Sequence, residues 1–278
     1  MSRLGRVMRP SAHPDVISHV RDHAGAGHVI LIDPDDASPD IAAQRCVAAV
    51  AAGSRLIFVG GSSNTDEDSV HSTVVAIQEA LELCKWNASQ DAGLSESDWE
   101  VPVVLFPQGA SALSDAADAI TFMMLMNSRN REFLIGEQVR GAPFIKEAGV
   151  EPMPMGYVIC APGGKAGEVG EADLIEAGQT DLIAAYAMCA EAYGFAILYI
   201  EAGSGAHTPV GADLIRAARA ASDKLVILVG GGIRDGETAH KAVEAGADWI
   251  VTGNLTEEFA DASALQTTLE RFIATMRA

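Results

Sequence analysis

Phe195-Ala196-Ile197-Leu198-Tyr199-Ile200-Glu201-Ala202-Gly203-Ser204-Gly205 runs from a continuous apolar stretch straight into a carboxylate and a loop of small residues. An apolar run without alternation is what a parallel strand shows when both its faces are buried. Two later stretches end the same way, Val229-Gly230-Gly231-Gly232-Ile233-Arg234 and Val251-Thr252-Gly253-Asn254. Strand ends built of small residues let backbone N–H groups approach a ligand closely, which suits a phosphate. Glu201 and Tyr199 are more than a plain phosphate cup needs. Two residues apart on a strand, they project to one side, and at a barrel mouth that is the ligand side.

Further apolar, β-branched runs precede these three: His28–Ile32, Arg55–Val59, Pro102–Phe106, Ala119–Leu125 and Gly156–Cys160. With Phe195–Ile200, Leu225–Val229 and Trp249–Val251 they make eight candidate strands. Helical patterns separate them at Ala42–Ala52, Ser69–Leu83, Leu174–Tyr193, Pro209–Ala221 and Glu237–Ala245, the last closing onto Gly246. Eight β-α alternations, with no Gly-x-Gly-x-x-Gly after the first strand, predict an α/β fold of the closed (β/α)8 TIM-like type rather than an open doubly wound sheet. At 278 residues the chain has the length of one such barrel, and residues 1–278 are expected to form a single domain.

Two places break the rhythm. Pro107–Asp118 is too short for a covering helix, so the helix between strands three and four is expected to be short or missing. The thinned wall there would open a side groove, with Leu113 and Ile120 as candidate lining. Residues Lys85–Glu100 read as a surface insertion that Trp86 and Trp99 would pack down.

Composition narrows the function classes. Lys plus Arg is 19 against 38 Asp plus Glu, a net charge of −19, which argues against nucleic acid as a partner. A phosphate ligand would therefore be captured by local N–H groups and a metal. An acidic, lysine-poor surface over an ordinary core fits high-salt adaptation, where ions screen self-repulsion; an acidic mesophilic enzyme is the alternative. No apolar run is long enough to span a bilayer, and the basic start of the chain lacks an apolar segment after it, so a cytoplasmic protein is expected. Cys46, Cys84, Cys160 and Cys189 form no CxxC pair and read as reduced thiols.

The other strand ends supply candidate chemistry. Asp33, in Asp33-Pro34-Asp35-Asp36, pairs with Ser62, in Gly60-Gly61-Ser62, as the sparse oxygen set that Mg²⁺ accepts. Alternatively Asp33 caps its own turn and Ser62 caps a helix. Glu201 could take a proton from a substrate hydroxyl, with Tyr199 positioning the same molecule; a rim ion pair is the bland alternative. Gly230–Gly232 and Gly253-Asn254 lie where barrel enzymes hold phosphate. Asn127, Ser128 and Arg129 could touch an anion or hold the fold, and His207 reads as structural or solvent-exposed.

Ile32-Asp33-Pro34-Asp35, Val59-Gly60-Gly61-Ser62, Leu105-Phe106-Pro107, Leu125-Met126-Asn127-Ser128-Arg129, Tyr199–Gly205, Gly230-Gly231-Gly232-Ile233 and Thr252-Gly253-Asn254 occur in this order. Together they resemble the geranylgeranylglyceryl phosphate synthase family, prenyltransferases of archaeal ether-lipid synthesis. The resemblance implies that Asp33 and Ser62 bind Mg²⁺ with the diphosphate of geranylgeranyl diphosphate. It implies that Tyr199, Ile200, Glu201, Ala202, Gly203, Ser204, Gly205, Gly231, Gly232, Gly253 and Asn254 hold sn-glycerol 1-phosphate, and that Glu201 takes the proton of its 3-hydroxyl. A homodimer is expected by the same likeness. One departure stands out: where members often carry a basic residue after the Asp-Pro pair, this chain has Asp36. Rival readings are a sugar-phosphate isomerase or cyclase barrel, disfavoured by Cys160-Ala161-Pro162 ending strand five without an acid, and a non-catalytic phosphate-binding barrel, which would leave Asp33, Ser62 and Glu201 without a joint purpose.

Overall fold

The computed structural model describes residues 15–61, 66–91, 93–257 and 261–278. Eight parallel strands close in sequence order into a barrel: β1 (Gly27–Ile32), β2 (Leu56–Val59), β3 (Val103–Leu105), β4 (Ala119–Leu125), β5 (Glu151–Ile159), β6 (Ile197–Glu201), β7 (Val226–Gly230) and β8 (Trp249–Thr252). All eight apolar runs are strands, and β8 returns to β1 through pairs such as Val29↔Val251.

Period-two alternation splits the core into two layers. Val29, Phe58, Val104, Met155, Tyr157, Tyr199, Leu228 and Trp249 fill the barrel interior. Ile30, Ile57, Leu105, Val158, Ile200, Val229 and Ile250 face the helices outside. Both sets are buried, which is why the strands show no polar alternation.

The helices are α1 (Val16–Arg21), α2 (Pro39–Ala51), α3 (Glu67–Ser89), α4 (Glu137–Ala148), α5 (Gly164–Val169), α6 (Thr180–Ala192), α7 (Ala212–Ala221), α8 (Gly236–Glu244), α9 (Asn254–Glu257) and α10 (Ala262–Met276). α1 stoppers the amino-terminal end of the barrel. Its Val16 and Val20 join the interior cluster, and Trp249 Nε1 donates to Val20 O at 3.0 Å. The Glu151 carboxylate accepts from Val16 N at 2.7 Å and Ile17 N at 3.1 Å, satisfying two N-terminal donors of the helix.

Residues 106–118 contain turns and bends but no helix, as the short spacing predicts. Asp118 pins the end of this strap: its Oδ2 accepts from Val103 N at 2.9 Å and from Gln78 Nε2 at 3.0 Å.

Two sequence readings need correction. Lys85–Ser89 is not an insertion but the end of the 23-residue α3. A 3₁₀ turn at Glu96–Trp99 follows, Trp99 packs on the core, and Trp86 stands 61% exposed. The helical pattern over Leu174–Tyr193 begins only at Thr180. Ile175 is fully buried and its backbone bridges to Cys160, and Gly178, at φ +81°, interrupts the chain before the helix starts.

Candidate functional site

The carboxyl ends of β6, β7 and β8 lie side by side, so their loops form one rim. Ala202 N donates to Gly230 O at 3.2 Å, and Gly205 N donates to Asn254 Oδ1 at 3.3 Å, tying the three loops together. Gly231 has φ +76°, and a Cβ there would lie 2.8 Å from both Ala202 N and Gly203 N. Only glycine fits such a position, at once left-handed and pressed against backbone. Gly253 is different, since an added Cβ would meet only ordinary contacts near 3.6 Å.

These loops open onto a polar cavity of about 210 Å³. Asp33, Asp36, Gly61, Tyr157, Lys165, Tyr199, Glu201, Ser204, Gly231, Gly232, Arg234, Gly253 and Asn254 line it. Two strand ends that are remote in sequence, those of β1 and β6, thus share one hollow.

Glu201 is 6% exposed, and the Tyr157 hydroxyl donates to its Oε2. Burial pushes the carboxyl up to about 7, and the tyrosine hydrogen bond pulls the other way by favouring the charged form. Tyr157 and Tyr199 are register partners on β5 and β6, and their rings stack at 5.2 Å. Burial, with the Glu201 charge beside them, raises both phenols well above their ordinary range. The Tyr199 hydroxyl lies over Gly230, where a Cβ would collide with it.

Asp33 is half-buried beyond β1, its Oδ1 accepting from Asp35 N at 3.1 Å. Its other oxygen lies over Gly61, where any side chain would strike it. Burial is the main cause raising this carboxyl, aided by Asp36 and Asp35, while the Asp35 amide and the charge of Lys165 act to lower it. Ser62, the second expected metal ligand, lies outside the described residues. Among the described residues no three His, Cys, Asp or Glu side chains converge as a metal cage.

A second hollow, apolar and of about 110 Å³, lies over the helix-free strap. Leu113, Ile120, Phe122, Phe133, Ile145 and Val169 line it, and Gly61, Phe106 and Tyr157 border both hollows. Leu113 and Ile120 therefore stand where the thinned wall places them.

Not every expected site residue faces the cavity. Ile200 and Ala202 are fully buried in the outer layer, so their side chains point towards the helices, and only their backbone shares the rim. Gly203 packs on Gly163, and Gly205 borders a neighbouring hollow with exposed His207. Asn127 is spent inside the fold: its amide donates to Ile159 O and Asp173 O, both at 2.8 Å, and accepts from Ile159 N at 3.1 Å. Ser128 donates to Gly170 O, and Arg129 pairs with Asp173 at the surface. These three hold the loop after β4 rather than line the cavity.

Sequence reasoning missed Tyr157 and Lys165. Tyr157 carried a signal, since an inward tyrosine beside Tyr199 follows once β5 and β6 are paired in register. Lys165 follows two glycines in Gly163-Gly164-Lys165, a small-residue strand end like the other three.

The fold and the two joined hollows define a (β/α)8 barrel whose glycine-rimmed polar cup opens into an apolar groove. A model of the PcrB family matches residues 93–272. The geranylgeranylglyceryl phosphate synthase of Methanothrix thermoacetophila is 42% identical over 237 residues, spanning 85% of this chain and 86% of its own. The structure of wild-type GGGPS from Thermoplasma volcanium superimposes with a TM-score of 0.83 at 36% identity, over 94% of this chain and 97% of that one. That of (S)-3-O-geranylgeranylglyceryl phosphate synthase from Thermoplasma acidophilum, in complex with substrate sn-glycerol-1-phosphate, gives 0.82 at 32% identity, over 95% and 98%. The chain belongs to the PcrB family and, within it, to the geranylgeranylglyceryl phosphate synthases, prenyltransferases of ether-lipid biosynthesis.

Proposed function

We propose that the chain joins the geranylgeranyl group of geranylgeranyl diphosphate to the 3-hydroxyl of sn-glycerol 1-phosphate, in the cavity between Asp33 and Glu201. The observation that carries this reading is the junction at Tyr157, where a polar hollow with a buried carboxylate meets an apolar groove. One substrate is a small phosphate and the other a long hydrocarbon with an anionic head, and each hollow matches one of them.

Tyr199, Glu201, Ser204, Gly231, Gly232, Gly253 and Asn254 hold the glycerol phosphate in this reading, with the backbone of Ile200, Ala202, Gly203 and Gly205 shaping the rim. The C1–oxygen bond of the donor breaks and its electron pair leaves with the diphosphate. The acceptor hydroxyl oxygen bonds to the allylic C1, and its proton passes to Glu201. The dry groove beside it keeps water from competing for the electron-poor carbon.

Asp33 suits Mg²⁺, being a single hard oxygen donor at the cavity edge with one oxygen left over the bare backbone of Gly61. When bound, the ion offsets charge on the departing diphosphate; Ser62 is the second ligand in this reading.

A homodimer in the cytoplasm completes it. Exposed apolar Leu182, Met188 and Tyr193 on and after α6 support self-association, and no described helix is long and apolar enough to cross a membrane. The net charge of −19 supports a high-salt setting.

The test combines the purified chain in high salt with Mg²⁺, sn-glycerol 1-phosphate and prenyl diphosphates of several lengths. sn-Glycerol 3-phosphate serves as the stereochemical control. An extractable ether product from the 1-phosphate is expected, and no product with any donor would overturn the assignment.

A further inference from the structure

Among the described residues, the cations bordering the polar cavity are Lys165 and Arg234, set against the carboxylates of Asp33, Asp36 and Glu201. They stand at different strand ends. Arg234 follows Gly231-Gly232 beyond β7, on the glycine-loop side. Lys165 follows Gly163-Gly164 beyond β5, and the positive charge that favours the ionised Asp33 carboxylate is its own.

The backbone beneath Lys165 is held by the neighbouring loop. Gly163 N donates to Ala202 O at 2.9 Å and Lys165 N donates to Ser204 O at 3.3 Å. Gly203 and Gly164 permit this closeness, since a Cβ on either would strike the facing loop's carbonyl oxygen. Lys165 is thereby fixed relative to the loop carrying Glu201, while its side chain reaches the same hollow as Asp33.

A diphosphate beside Asp33 and Asp36 adds negative charge to a wall that is already acidic. One divalent ion leaves part of that charge uncompensated, and in a half-buried site the remainder is costly. An ammonium is a compact charge with three donors, suited to phosphate oxygens in varied geometry.

We propose that Lys165 binds the diphosphate of the prenyl donor, supplying from the end of β5 the positive charge that Asp36 cannot provide beyond β1. This rests on the prenyl-transfer reading above. It separates the two cavity cations, Lys165 serving the leaving group and Arg234 the glycerol phosphate side.

The experiment measures calorimetric binding of inorganic pyrophosphate with Mg²⁺ to the full chain, and KM for each substrate, in wild type, Lys165→Met and Lys165→Arg. Lys165 is exposed and both variants should fold. Lys165→Met is expected to weaken pyrophosphate roughly ten- to hundred-fold, the span of a hydrogen bond to a charged group, with the arginine variant recovering part of the loss. KM should rise for the prenyl donor and stay unchanged for glycerol phosphate. Undiminished pyrophosphate affinity in Lys165→Met, or a rise in KM for glycerol phosphate alone, would overturn the proposal. Wild type that binds pyrophosphate yet forms no ether would instead sink the prenyl-transfer reading, leaving the binding comparison to judge Lys165.

Discussion

Tyr157 donates its hydroxyl to Glu201 Oε2 in a site where the two side chains are 7% and 6% exposed. One oxygen of the carboxyl is thus engaged from β5. Replacing Glu201 with Gln keeps an oxygen for the tyrosine while removing the base. Loss of a positioned general base costs on the order of 10²–10⁴ in rate. Steady-state assays should show kcat falling by that order with the glycerol phosphate KM little changed. Full activity in Glu201→Gln would remove the base from the mechanism.

The same pair sets the pH response. Glu201 works as a base only when ionised, and burial holds its carboxyl up to about 7. kcat/KM should therefore fall as pH drops below about 7. The Tyr157 hydrogen bond favours the ionised form, so Tyr157→Phe should raise this pKa and move the acid limb to higher pH. A merely structural tyrosine would lower the rate without moving the limb, and a pH–rate profile of the two proteins decides.

Gly203 and Gly205 separate close approach from backbone strain. Both have positive φ, +99° and +74°, but a Cβ on Gly203 would collide with Gly163 O whereas Gly205 faces open space. Gly205→Ala should cost only the left-handed penalty, about 1–2 kcal/mol. Gly203→Ala should cost more and also weaken glycerol phosphate binding, because it forces the β5 and β6 loops apart. Denaturant midpoints for both variants would show the ordering, and equal losses would contradict it.

The strap that replaces a helix depends on Asp118, which is 3% exposed. Asp118→Ala strands the Val103 N–H and the Gln78 amide, at roughly 1–3 kcal/mol for each buried group left unpaired. Asp118→Asn keeps an acceptor oxygen and should lose less. Thermal unfolding of the two variants is the check.

Strand order, the missing helix and the carboxylate at the end of β6 were legible because each follows from local pattern: apolar runs, a short spacing, a polar residue after a buried strand. The direction of Ile200 is legible too, since alternation from Tyr199 and Glu201 turns it outward, into the layer under the helices. Asn127 could not be resolved this way. An amide near a strand end looks the same whether it meets a ligand or, as here, Ile159 and Asp173. Lys85–Ser89 is illegible for another reason: polar residues on the exposed end of a long helix show little apolar periodicity, so the end of α3 resembles a surface insertion.

The groove gives the remaining prediction. Leu113 is 5% exposed and borders the apolar hollow but not the polar cavity. It faces Gly141, where a Cβ would sit 3.5 Å from Leu113 Cδ1, so a polar head at position 113 would stand in apolar surroundings. A buried amide without partners costs about 1–3 kcal/mol by mutational measures, and the bound hydrocarbon would have to lie against it. Leu113→Gln should therefore lower kcat/KM for a twenty-carbon donor by about tenfold or more, while a five-carbon donor, too short to extend along the groove, keeps its rate. Measuring both donors on the same protein separates a groove effect from partial unfolding, which would depress the two together. An unchanged rate on the long donor would place the hydrocarbon elsewhere.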